Sequence, residues 1–249
     1  MKFKNLMLLF VLGFSIILIN GCKDNSTNPT DDPAAYFMFK AGNYWVYNTD
    51  SLDANQAVVP GTTTTDSTVD VGVETKSGKS ANKLTNYSSG GTNEDSYFAL
   101  EGSKLYSLIS DVSGGGVSLP ISGWMLVADF NGTTWTVLDS NISQDMGMGV
   151  LNAKLTVKGS KGSQKSLTVG TSSVSCQEFI QTITLAGKLT ISGIPIPIDI
   201  NLTINVHYFF GKNVGLVQVN QETTKLTIPG LGDQVIPGFI QKLIRYKAS

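Results

Sequence analysis

The clearest order in this chain is an alternation. From Ile198 to Tyr208, apolar Ile198, Ile200, Leu202, Ile204, Val206 and Tyr208 alternate with polar Asp199, Asn201, Thr203, Asn205 and His207. Period-two alternation over that length predicts a strand with one buried and one wetted face. Residues 174 to 191 carry a weaker version, in which Thr182 and Thr184 alternate with Ile183 and Leu185. Between the two lies Gly193-Ile194-Pro195-Ile196-Pro197, read as a hairpin connection because proline is poorly tolerated inside a central strand. Val69, Val71 and Val73 alternate with Asp70 and Gly72. Shorter strand patterns lie at 81–88, 95–100, 103–110, 124–129, 134–139, 150–158 and 165–170, and Gly114-Gly115-Gly116 reads as a loop. Gly42-Asn43 is a turn signal, and the aromatic run Tyr44-Trp45-Val46-Tyr47 after it has high strand propensity. No segment after residue 35 has a helical period with caps. Phe239 to Ile244, after Pro237-Gly238, is read as a closing strand. The pattern predicts one all-β domain over 36–249, antiparallel, built as a strongly curved single sheet or open barrel with few or no helices.

The N-terminus follows another logic. Lys2 and Lys4 precede an almost wholly apolar run over residues 6 to 19, and Gly21-Cys22 closes it. A positive start, a short apolar stretch and a small residue at the cleavage point form a secretory signal. The run is short for a membrane span of about 20 residues. The cysteine makes 1–21 resemble a bacterial lipoprotein signal peptide, in which the Cys22 thiol is diacylated and the new amine acylated. Each buried methylene contributes roughly 0.8 kcal/mol, so two or three chains such as palmitate hold a protein durably. Residues 23–35 contain no large apolar side chain, and 22–35 is read as a flexible, lipid-anchored tether. Lys23 stands where an aspartate would signal inner-membrane retention, so the expected location is the outer membrane. Lys23-Asp24-Asn25 matches only part of a surface-export signal. Periplasm-facing and surface-facing orientations both stay open.

Composition adds limits. Eighteen lysines and arginines face nineteen acids, and cleavage removes two lysines and no acid. That net balance is no footprint for nucleic acid or for an anionic membrane surface. With Cys22 lipidated, Cys176 is left without an intramolecular partner and is read as a small buried hydrophobe. Lys188-Leu189-Thr190-Ile191 echoes Lys225-Leu226-Thr227-Ile228, read as two hairpins of similar chemistry.

Gly42-Asn43-Tyr44-Trp45-Val46-Tyr47 near the start and Tyr208-Phe209-Phe210-Gly211-Lys212-Asn213-Val214-Gly215-Leu216-Val217 near the end resemble the motifs of a group of lipoproteins of Bacteroidota, the TapB-like lipoproteins. Thr168-Val169-Gly170, Cys176 and Phe179 resemble that group's midsection. The resemblance covers about residues 36–247 and implies a half-barrel similar to the carriers LolA and LolB. It brings no catalytic residues. The residues themselves make Trp45 a core anchor.

Catalytic devices are not nominated by the chain. The single histidine, His207, is expected to be solvated or hydrogen-bonded on its strand's polar face. No Gly-x-Ser-x-Gly elbow presents a serine, and no His/Cys/Asp/Glu cluster has metal-ligand spacing. The expectation is therefore no enzyme, no metal and no cofactor, with Cys22 as the one site residue. The leading functional reading is an envelope lipoprotein with a binding or structural role, its partner a protein, glycan or lipid besides the membrane itself. The alternative is a lipid or lipoprotein carrier that uses the hollow of a half-barrel.

Overall fold

A computed structural model describes residues 32–248 apart from 89–90, 92, 110–111, 115–116, 120–121, 146–148, 192–196 and 229–231. The signal peptide, Cys22 and most of the expected tether lie outside the described residues. The first described element is a 3-10 turn, Pro33–Tyr36, capped by the Asp32 side chain. It takes in Pro33, Ala34 and Ala35, which composition had assigned to the tether.

Among the described residues, everything else of regular structure is strand. The chain runs β1 (Tyr44–Leu52), β2 (Thr64–Lys76), β3 (Lys79–Tyr87), β4 (Asn93–Glu101) and β5 (Lys104–Ile109). A small hairpin, β6 (Val112–Gly114) and β7 (Val117–Leu119), precedes β8 (Gly123–Asp129). Then come β9 (Thr134–Asp145), β10 (Gly149–Val169), β11 (Ser172–Ile191), β12 (Ile198–Gly211) and β13 (Gly215–Gln221). A second hairpin, β14 (Thr224–Ile228) and β15 (Gly232–Ile236), precedes β16 (Gly238–Lys247). Twelve strands form one antiparallel sheet in the order β8-β5-β4-β3-β2-β1-β16-β13-β12-β11-β10-β9.

The sheet curls further than a half-barrel. Its two edges, β8 and β9, are consecutive in the chain, and residues 130–133 join them. Across that seam the Trp135 indole donates to the Leu126 carbonyl at 3.2 Å, and Lys161 Nζ donates to the Phe130 carbonyl at 2.6 Å. The barrel is nearly closed there by side chains rather than by a backbone ladder. Trp135 fits because β10 carries Gly159 beneath it; a Cβ at that position would lie 2.0 Å from the indole.

The alternating segment behaves as its pattern dictates. Ile198, Ile200, Leu202, Ile204, Val206 and Tyr208 all point inward, none more than 7% exposed, while the Asp199 side chain is 81% exposed. β11 pairs with β12 in the register Leu189↔Ile198 through Cys176↔Gly211, as a hairpin across 192–197 requires. The two stretches at 150–158 and 165–170 are one strand, β10, interrupted by a register shift between Lys161 and Gln164. Phe239–Ile244 lies in β16, which closes the sheet between β1 and β13. The echoed segments each belong to the first strand of a hairpin.

One pattern inverts. In β2, Val71 and Val73 face solvent, while Thr68 and Asp70 are buried. The cause is the pairing with β1, which sets Thr68 opposite fully buried Trp45 and so sends Thr68 and Asp70 inward and Val69 and Val71 outward; a bulge follows between Asp70 and Gly72, with Gly72 at φ +123°. It turns the Asp70 carboxylate toward the backbone N–H of Gly72 and the Asn82 amide.

At one end of the barrel the N-terminal segment forms a plug. Tyr36, Phe37 and Phe39 are buried; Phe37 meets Phe130 and Phe210 edge-on, with both centroids at 5.2 Å, and Phe130 and Phe210 both pack on Phe179. Asn213 N donates to the Ala35 carbonyl at 2.6 Å, Trp45 Nε1 to that of Val214 at 2.7 Å and Tyr47 Oη to that of Leu216 at 3.0 Å. Trp45 is thus a core anchor, fully buried.

Phe179→Ala removes a fully buried ring from the middle of this aromatic chain. It is expected to lower unfolding free energy by about 3–5 kcal/mol in urea titration; a loss under about 1 kcal/mol would show that the plug is loosely packed.

Candidate functional site

Alternation along β11 sends Gln177, Phe179 and Gln181 inward and Glu178 to the outer wall. On that wall the β10 irregularity brings Gly162 over the carboxylate, so that a Cβ there would stand 2.6 Å from Oε2. The Glu178 side chain is only 5% exposed, and its Oε1 takes two donors: Lys165 Nζ at 3.0 Å and His207 Nδ1 at 2.9 Å. Burial disfavours the charge, and the hydrogen bonds from His207 and Lys165 outweigh it, holding the carboxyl below the usual carboxylate range. Phe209 forms the floor, stacked on His207 at 6.5 Å and lying under Lys165 Nζ at 5.1 Å. Glu222 stands 3.9 Å from His207 Nε2.

This cluster is a well-ordered polar patch on an otherwise β-ribbed surface. His207 is hydrogen-bonded to Glu178 through Nδ1, while Nε2 faces the more distant Glu222 carboxylate. Cys176 lies elsewhere, buried, its thiol within 3.5 Å of the Val174 carbonyl and pushed up to about 12 by burial. A thiol at that value stays protonated and unreactive. Among the described residues no group of three His, Cys, Asp or Glu side chains comes together to hold a metal.

The interior is not uniformly apolar. Across the inner face, register aligns Gln181 with Val206, Val206 with Gln221 and Gln221 with Phe239. Gln181 is fully buried, and neither end of its amide has a hydrogen-bond partner. Gln221 donates to the Pro237 carbonyl at 3.3 Å, and Gln241 to Thr49 at 3.4 Å. Outside, a shallow depression of about 410 Å³ across β9, β10 and β11 is lined by Asn141, Ser143, Asn152 and Lys154 with Ile142, Ala153 and Ala186. It is open, and its lining mixes polar and apolar atoms.

Cys22 lies outside the described residues. Glu178, Lys165 and Asp70 were not legible as a site. Glu178 sits diagonally from His207 only once the β11–β12 register is fixed, and Lys165 joins them only through the irregularity in β10. The hairpin signal at 193–197 could have placed Glu178 near His207; nothing in the sequence marked Asp70 as buried.

Two acids give opposite pH signatures. Burial pushes Asp70 up to about 6 from 3.8, against hydrogen bonds from Gly72, Asn82 and the Lys40 backbone. The folded state therefore holds this proton more tightly than the unfolded chain. That contribution to stability is full below about 3.8 and is lost as pH rises through about 6. Glu178, held low, contributes stability above the ordinary carboxylate range and loses it on acidification. Asp70→Asn removes the first effect, so its urea midpoint gains on wild type between pH 4 and 7; a constant difference would count against a buried acid. Removing the ring in His207→Gln, which the sequence alone expects to be neutral, takes a charge-assisted bond from a buried carboxylate. The expected cost is about 1–2 kcal/mol by urea unfolding, and no cost would mean Lys165 alone satisfies Glu178.

No protein-family model matches the chain, and no curated protein does. Two solved structures are similar to it. One, a candidate lipoprotein from Parabacteroides distasonis, is 13% identical with a TM-score of 0.45, covering 85% of this chain and 98% of its own. The other, a candidate exported protein with a YmcC-like fold from Bacteroides fragilis, is 8% identical with a TM-score of 0.39 and the same coverage. Neither bears the TapB-like or LolA/LolB name that the motifs suggest, and neither is described by a ligand, partner or activity.

Proposed function

We propose that this chain is an envelope lipoprotein, held to the outer membrane by acyl chains on Cys22, with a binding or structural role and no catalytic step of its own. The observation that carries this reading is the aromatic packing of the plugged end. Phe37, Phe130, Phe179 and Phe210 fill the plugged end in a continuous run of edge contacts. Further along, buried glutamines interrupt the apolar lining. A carrier needs an apolar hollow large enough to take acyl chains, and a body packed this way instead offers its outer wall and loops. The motif residues behind the TapB-like resemblance support the same reading: Trp45, Phe210, Val214 and Leu216 hold the plug in place.

Cys22→Ser is expected to abolish palmitate labelling and release the protein from the membrane fraction or leave it unprocessed; labelling that persists would refute the anchor. Solvent extraction of the purified wild-type protein followed by mass spectrometry is expected to release no stoichiometric lipid beyond the covalent chains. A single lipid species at about one per protein would restore the carrier reading.

A further inference from the structure

The antiparallel sheet sorts its turns between two ends, and the charges sort with them. The plugged end carries the start of β1, the end of β16 and the β12–β13 turn; there Lys40, Lys104, Lys212, Arg245 and Lys247 are exposed. Acids at this end are largely engaged: Asp70 and Asp129 are buried in hydrogen bonds, Glu178 is held by Lys165 and His207, and Glu101 pairs with Lys79. Asp32 and Glu74 remain at its surface. The opposite end is acidic, with Asp53, Glu94, Asp145 and Asp233 in or beside its turns and Asp199 paired with Lys188; Lys225 stands there too. The net charge near zero conceals this division.

The plugged end also carries an exposed apolar fringe. Val71 and Val73 on β2 and Ile244 and Tyr246 on β16 flank β1 on its two sides, next to Arg245 and Lys247. Large apolar and aromatic side chains interleaved with lysine and arginine suit a bilayer interface, where rings sit at headgroup depth and cations reach phosphates. Exposed Val58, Tyr87, Val150 and Val235 toward the other end stand among acids instead.

Tether length selects the same end. Nine residues lie between Cys22 and Asp32, which lies beside the β12–β13 turn through the Ala35–Asn213 hydrogen bond. Fully extended, the ten peptide steps reach about 35 Å. β12 runs about 45 Å from that turn to its far end, so the plugged end is the one the anchor holds nearest the bilayer.

We propose that the plugged end, through Lys40, Arg245 and Lys247 with the fringe of Val71, Val73, Ile244 and Tyr246, docks on the anionic headgroups of the membrane in which Cys22 is anchored. This rests on the lipoprotein reading of Cys22. Docking fixes the barrel upright, with its acidic turns and the β14–β15 hairpin presented away from the bilayer.

The acylated full-length protein can be labelled with a fluorophore at Ala41→Cys, beside Lys40, or at Ala54→Cys in the opposite β1–β2 turn, because Cys22 is blocked and Cys176 buried. Each is reconstituted in phosphatidylcholine vesicles with and without phosphatidylglycerol and quenched by a headgroup nitroxide lipid. With phosphatidylglycerol, quenching at 41 is expected to exceed that at 54 by about threefold or more. The excess shrinks in high salt, as charge attraction requires, and in Arg245→Glu with Lys247→Glu. Equal quenching at both positions, or a ratio indifferent to phosphatidylglycerol, salt and charge reversal, overturns docking while the protein still floats with the vesicles. Failure to float overturns the anchor reading, and docking with it.

Discussion

The structure depends on one meeting point, where the Trp45 indole reaches the Val214 carbonyl and Phe37 wedges against Phe210. Twelve strands curled by twist alone leave a barrel end with an unfilled mouth and two free edges. The N-terminal segment supplies the filling, and the β12–β13 turn supplies the carbonyls that receive it. From there the aromatic contacts continue through Phe179 to Phe130, which stands at the seam between β8 and β9. The same contacts that close the mouth thus hold the edges together, with Trp135 and Lys161 tying the last gap.

Polar groups set the limits of this packing. Glu178 shows a charge on the outer wall made tolerable by two donors and a ring beneath them. Asp70 shows the opposite balance: three hydrogen-bond donors do not recover what burial costs it. The pairing that sets Thr68 against Trp45 buries Asp70 and, by alternation, turns Val71 outward. One register therefore produces both an awkward acid inside and part of the apolar fringe outside.

How much of this was legible depended on range. The β12 pattern predicted its own buried face correctly because alternation is a local property of the backbone, and the hairpin to β11 followed from two prolines. β10 looked like two strands because residues 161–164 break the alternation, and only pairing with β11 on both sides of the break makes them one. β2 misled in a different way: its valines alternate as a buried face would, but the pairing of Thr68 with Trp45 decides which side is in. The Glu178–Lys165–His207 cluster draws on three strands and could not be seen until their registers were set. The degree of closure was equally hidden, since it rests on single side chains crossing a seam.

The placement of β16 between β1 and β13 governs the order of events in time. One block, β1 to β5 with β8, and the other, β9 to β13, are each built from neighbours in sequence. The ladders that join them are β16 with β13, close in sequence, and β1 with β16, a pairing that spans nearly the whole chain. Contacts of such long range are slow to form, because a large loop must close before any of them is rewarded. Until residues 238–247 are available, β1 and β13 each present a bare strand edge, and no ladder joins the two blocks. A polypeptide arranged this way stays threadable until its last strand is delivered, and then completes its sheet in one closing step.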